Sequence, residues 1–297
     1  MSAEKPWVDG PFRLIPASSS GDQTENRVTG ARIIAAEMTM VHNLIIRGIN
    51  AIYIQCINVG EQGTEKDKID FANFATRWGE FAEEHHTMEE ESFFPGFNNL
   101  AETPGLMDGN IAEHEAFRPG LDSFLEYVTA VSEGRESYDG HKIMELIDSF
   151  IPLLHTHLEH EITILVSLSQ WDDKVDWEEW FRAEINNRAK AMMAQQRYRT
   201  HILPLAFILH DKTYENGLWS AFPPLPWIAA AILRLLFVRV HQDWWRFAGC
   251  DGTSMPKKLP LPDVARYRDP AVAQQAATGN FMRWVADVLR TERMSLY

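Results

Sequence analysis

Histidines and glutamates recur along this chain at a spacing that a bundle of helices can use. HHTMEEESFFP at 85–95 and HTHLEHEITIL at 155–165 each carry a His-x-x-x-Glu pair, while His42 and His114 stand singly among apolar residues. On an α-helix, residues four apart lie on one face about one turn apart. His85 with Glu89, and His157 with Glu161, can therefore each aim two donors at one point. A single pair of this kind is ordinarily a solvated contact on a helix surface. Here both pairs run into apolar stretches, SFFP and ITIL, and two further helices each offer a histidine.

The flanking residues say which way these side chains face. Around His42 the helical stripe holds Met38, Ile45, Ile46 and Ile49; around His85 it holds Trp78, Phe81 and Met88. Around His114 it holds Met107, Ile111, Phe117 and Leu121, and around His157 it holds Leu153, His160 and Ile164. Taken alone, His42 or His114 reads as a core histidine hydrogen-bonded to a neighbour. Four inward histidines with two inward carboxylates are very costly to bury without a cation to neutralise them. The pattern predicts a dinuclear metal site inside a four-helix bundle.

The order His, His-x-x-x-Glu, His, His-x-x-x-Glu, with the first pair running into EESFFP, resembles the hemerythrin-like, or HHE cation-binding, family of non-haem diiron proteins over roughly residues 28–170. The resemblance implies an all-α fold and assigns His42, His85, Glu89, His114, His157 and Glu161 as ligands of two iron ions, with Glu89 and Glu161 bridging. Two departures stand out. Arg118 occupies the place where the oxygen-carrying members put a second histidine, and Glu161 follows His157 by four residues rather than five. These departures predict a more open centre, with His86 as the one additional donor in reach. The ferritin-like alternative needs two Glu-x-x-His motifs, and only Glu83 to His86 fits.

The remaining sequence bounds the partners. In 297 residues, 42 Asp and Glu against 28 Lys and Arg give a net charge of −14, a surface that repels nucleic-acid phosphates and anionic lipid. Two cysteines, Cys56 and Cys250, are too few for a disulfide framework. With no secretory pattern at the start, a cytoplasmic location is expected. The stretch PWIAAAILRLLFVRV at 226–240 is interrupted by Arg234 and Arg239 and falls short of a membrane span, so no integral membrane segment is expected and a buried helix is.

Three regions follow: an N-terminal arm over 1–27, held to the body by Trp7 and Phe12; a hemerythrin-like four-helix bundle over 28–170; and a C-terminal helical extension over 171–297. Bundle helices are expected at about 28–58, 67–94 with Pro95 as the stop, 103–132 with Thr103 as N-cap, and 138–169 with a kink at Pro152. Further helices are expected at about 177–200, 201–213, 226–247 and 270–294. The extension, through LPLAFILHD and HQDWWRF, is similar to those on long HHE proteins of filamentous fungi. What the resemblance implies for function is a diiron centre that binds O2 as ligand or co-substrate. Because a minimal carrier needs only the bundle, the extension favours an oxidoreductase acting on a small organic molecule, with the extension as pocket wall. The alternative is a carrier or sensor of O2, NO or iron. Oligomeric state is left open by the sequence.

Overall fold

The computed structural model of the chain describes residues 7–17 and 30–263. The start of the arm, the Trp7 side chain and the helix expected over 270–294 lie outside the described residues. The fold is all-α, with four long helices at its centre: α1 (Ala31–Gln62), α2 (Glu65–Met88), α4 (Asp108–Ser132) and α5 (Gly140–Ser167). Helix α1 packs on α2 and α5, and α4 closes the ring by packing on the same two. Local signals set the helix starts. Thr64 accepts from the Asp67 N–H while the Asp67 carboxylate accepts from the Thr64 N–H, a reciprocal cap for α2. Asp139 caps α5 by accepting from the N–H groups of His141 and Lys142.

Two starts and stops differ from those the sequence suggests. Pro95 does not end the second helix. After Met88 the chain makes one π turn, Glu89–Phe93, and continues as α3 (Phe94–Leu100). The Phe94 N–H bonds the Glu89 carbonyl five residues back, so the ladder is already shifted where Pro95, which has no N–H to give, enters. Nor does Thr103 open the third helix. Residues 104–107 form turns, Gly105 takes a positive φ of 80°, and α4 begins at Asp108. Helix α5 runs unbroken through Pro152.

Helix α1 is buried along most of its length, because it is covered from outside as well as from within the bundle. Asn43 exchanges two hydrogen bonds with the backbone of Ile15, and Asn50 bonds Val8 and Phe12, so the arm lies across α1. Phe12 packs edge-on against Tyr53 at 5.1 Å. The region after the bundle begins with α6 (Trp177–Ala194), whose Trp177 and Phe181 pack on Phe97 and Phe93. Beyond it the expected long helices are short turns of helix, broken around Pro204 and the Pro223, Pro224 and Pro226 run. They return to α1, where Gln55 donates to the Phe247 carbonyl and Asn58 to that of Pro262.

The segment 226–240 corrects the sequence reading most sharply. It is helical, but Trp227, Ile228, Leu235 and Leu236 are exposed rather than buried. Only one side of the segment packs inward, with Val238 buried in the core and Ala230 and Leu233 against it.

Close packing inside the bundle yields a test. Gly48 lies directly under Trp78, whose indole N–H bonds the Ile45 carbonyl at 2.9 Å, and a Cβ at residue 48 would come within 2.1 Å of that ring. Gly48→Ala is expected to destabilise the protein by about 1–3 kcal/mol. Urea unfolding showing an unchanged midpoint would mean that Trp78 has room to move.

Candidate metal centre

All six donors expected from the resemblance, and His86 with them, converge at the middle of the four-helix ring, each at most 4 % exposed. The register of α2 explains how one helix supplies three. Glu89 lies four residues after His85 and three after His86, so its carboxylate sits one turn below both imidazoles. The donor atoms fall into two overlapping groups, His42, His85 and Glu89 in one, and His86, Glu89, His114 and His157 in the other. Glu89 belongs to both. Its Oε1 is 2.8 Å from His85 Nε2 and its Oε2 is 3.6 Å from His114 Nε2. Glu161 lies between the groups from the opposite side, with Oε2 3.3 Å from His42 Nε2 and 3.7 Å from His157 Nε2.

The outward nitrogens of three of these rings are held. His42 Nδ1 lies 2.9 Å from the Leu158 carbonyl, His114 Nδ1 2.7 Å from Glu90, and His157 Nδ1 3.1 Å from Glu113. Each contact makes Nδ1 the donor, so in the neutral ring Nε2 faces the centre as the free nitrogen, and the Nε2 atoms of His114 and His157 lie 3.0 Å apart there. Glu90 is held in turn by Arg118, and Glu113 also accepts from His160, which is largely exposed. The sequence reading missed Glu90 and Glu113, because both pairs form between helices and no spacing along the chain marks them. It also placed His160 with the inward stripe, whereas the side chain reaches outward.

The inward atoms are the reverse case. His42 Nε2, both ring nitrogens of His85 and His86, and all four carboxylate oxygens of Glu89 and Glu161 are buried without a hydrogen-bond partner. Such a concentration of unpartnered buried nitrogens and carboxylate oxygens in one place is what a metal-binding site looks like before its cation is counted. The donor chemistry, imidazole nitrogen with carboxylate oxygen, suits first-row transition metals. Five imidazoles stand at the centre: Arg118 pairs with Glu90 at the rim, and His86, the additional donor the sequence offers, is buried in the interior.

Electrostatics points the same way. Burial would push the His42 imidazole down, yet the Glu161 and Glu89 carboxylates beside it outweigh burial and hold it up at about 9. Burial pushes His86 far down, and burial with the neighbouring His157 lowers His114. Glu89 is kept well below the usual carboxylate range, the surrounding histidines overcoming its burial. A proton on His42 thus partly supplies the positive charge that the two carboxylates require.

A cleft of about 240 Å³ reaches the centre between α2 and α4, bounded by His86 and Phe117 within and by Glu90 and Arg118 at its rim. A second cavity of about 370 Å³ lies between α2 and α6, against Met88, Arg188 and Tyr198. Glu83 and Thr87 line both. The extension therefore walls the outer cavity, while the cleft at the donors is bounded by the bundle alone.

Residues 33–168 match the hemerythrin HHE cation binding domain. The chain is 32% identical over 256 residues to the dimeric xanthone biosynthesis cluster protein R11 of Cryptosporiopsis sp. (strain 8999), a span covering 86% of this chain and 93% of that relative. No solved structure matches the chain.

The raised pKa of His42 predicts two pH effects in the metal-free protein. His42 binds its proton more tightly folded than unfolded, so its contribution to stability is complete below about 6.5 and is lost as pH rises towards about 9. Metal must displace that proton, so affinity should climb over the same interval. Urea unfolding and metal titration at pH 6 and 9 check both; stability that rises with pH across this window would contradict the assignment.

Proposed function

Because the chain belongs to the hemerythrin HHE cation-binding family, we propose that its donor cluster holds two iron ions and that the protein is a non-haem diiron oxidoreductase acting with O2 on a small organic molecule. The observation that carries this reading is the division of six buried donors into two groups that share Glu89, with the buried Glu161 reaching a histidine of each. His42 and His85 would hold one ion; His86, His114 and His157 would hold the other. Glu89 and Glu161 would bridge them, each lying against both groups. Bound there, the iron pair supplies the one-electron steps by which O2 reacts with organic substrates.

The chain's own residues supply the setting. Glu90 and Glu113 hold the Nδ1 protons of His114 and His157 and fix both rings. Phe94 and Phe117 pack at 5.5 Å from the His114 ring and keep water from that side. The Arg118–Glu90 pair lies at the rim of the inner cleft, which is lined by the donor His86. A substrate entering there would rest against His86 and Phe117 and extend past Thr87 into the outer cavity, whose volume is in the range of small-molecule pockets, about 300–1,000 Å³. The relative is named for dimeric xanthone biosynthesis, and xanthones are flat fused aromatics. That supports a phenolic aromatic as the substrate class. The near-complete burial of the donors is the observation that favours the second reading, a carrier or sensor of O2 or NO without turnover.

Two experiments test this reading. After anaerobic reconstitution, elemental analysis is expected to find close to two iron ions per chain; Glu89→Ala should lose both, and His86→Ala one. A single ion in the unaltered protein would sink the dinuclear centre.

The reduced iron protein should consume O2 together with an added phenolic aromatic, and Thr87→Phe, at an exposed position shared by both cavities, should slow this on the order of tenfold or more with iron content unchanged. Reversible O2 uptake with no phenol consumed would favour the carrier.

A further inference from the structure

We infer that the helical segment 227–240 is a membrane-contact surface, by which the protein rests on an anionic lipid bilayer. Among the described residues, eight of the eleven exposed large apolar side chains lie between Leu218 and Val240. Trp227 is 79 % exposed, and Ile228, Leu235 and Leu236 are each more than half exposed. Spaced along the helical turns, Ile228, Ile232, Leu235 and Leu236 form one outward stripe while Ala230, Leu233 and Val238 face the body. A stripe of this size would be unfavourable in water unless something covers it.

Charge selects what covers it. In a chain with 42 acidic residues, residues 216–242 contain none, and their only formal charges are Arg234 and Arg239. The groove of about 690 Å³ beside the helix carries Arg234, Arg239, Arg246 and Lys257 against a single carboxylate, Asp251. Asp251 is already engaged by the backbone N–H and the hydroxyl of Thr253. Arg246 is held by Asp67 and Asp70, and Lys257 by the carbonyls of Trp245 and Arg246. Arg239 is exposed and makes no ion pair among the described residues, whereas the Arg234 guanidinium lies over the Phe207 ring and reaches the Ser254 hydroxyl. Apolar residues with an interfacial tryptophan, flanked by free arginine, fit the boundary between acyl chains and anionic headgroups.

A second copy fits less well. A two-fold contact brings a patch against itself, so Arg239 would approach its own kind with no acid in the segment to separate them. The overall charge of −14 does not oppose lipid binding decisively, because at physiological salt a charge is screened beyond about 8 Å and the membrane meets the local cationic rim. No helix among the described residues is long and apolar enough to cross a membrane, so the contact lies along the surface.

The test uses the full-length iron-loaded protein and vesicles of phosphatidylcholine with or without phosphatidylserine. The protein is expected to sediment with the serine-containing vesicles and to be quenched at Trp227 by lipids brominated in the acyl chain, read as the difference from Trp227→Phe. Leu235→Asp with Leu236→Asp, both at exposed positions, should weaken binding at least about tenfold, with helicity and iron content unchanged. Arg239→Ala should weaken it about fivefold on the anionic vesicles only. The proposal fails if neither vesicle binds, or if the double variant binds as the unaltered protein does. It also fails if ultracentrifugation shows a dimer that the double variant disperses while vesicles are ignored, which would make the face a contact between copies. Acrylamide failing to reach Trp227 in vesicle-free protein would overturn it too, since the face would already be covered, residues 264–297 being the segment available to do so.

Discussion

Two carboxylates that no protein donor satisfies set the terms for the rest of this molecule. Glu89 and Glu161 are wholly enclosed, and none of their oxygens has a hydrogen-bond partner. Burying an ion in a protein interior costs several kcal/mol even after relaxation. Positive charge must therefore be present between them, as metal or, in its absence, as the proton that His42 retains to about pH 9. The surrounding architecture keeps the two carboxylates facing each other across that charge. Helices α2 and α5 are not in the same pairwise contact as α1 with α5 or α4 with α5, and it is α1 and α4 between them that hold the facing distance.

The π turn at Glu89–Phe93 belongs to the same requirement. It starts at the shared carboxylate and lets one continuous rod deliver His85, His86 and Glu89 inward, Glu90 sideways to His114, and Phe93 and Phe94 into the core beyond. An uninterrupted α-helix would carry Pro95 against the carbonyl four residues back. Wide turns of this kind are frequent at functional sites, and here the turn both absorbs the proline and re-aims the residues that follow the donors.

The part of the chain beyond the bundle has a different relation to the centre from the one its size suggests. Instead of roofing the donors, it wraps α1 from outside, and α6 lies along the π turn, with Ser92 bonded to Glu184 and Arg188 paired with Glu91. Its contribution near the donors is the far wall of the outer cavity. The extension also carries most of the large apolar side chains that the described residues leave open to solvent.

How much of this was legible in the sequence follows from the range over which each interaction acts. The His-x-x-x-Glu pairs, the helical stripes around the four histidines, and hence the all-α bundle and its inward donors depend on neighbours within two turns of one helix, and periodicity records such neighbours directly. Helix ends were less legible. Thr103 and Pro104 look like a start, and Pro95 like a stop, because local propensity cannot register a π turn or a set of turns stabilised by packing. What the tertiary structure alone decided lies between elements: that Glu90 and Glu113 hold the rings of His114 and His157, and that one face of residues 226–240 stays outside. An apolar helix reads the same whether it is buried or exposed, because hydrophobicity states a preference for leaving water while only the finished packing determines whether the protein has an interior left to receive it.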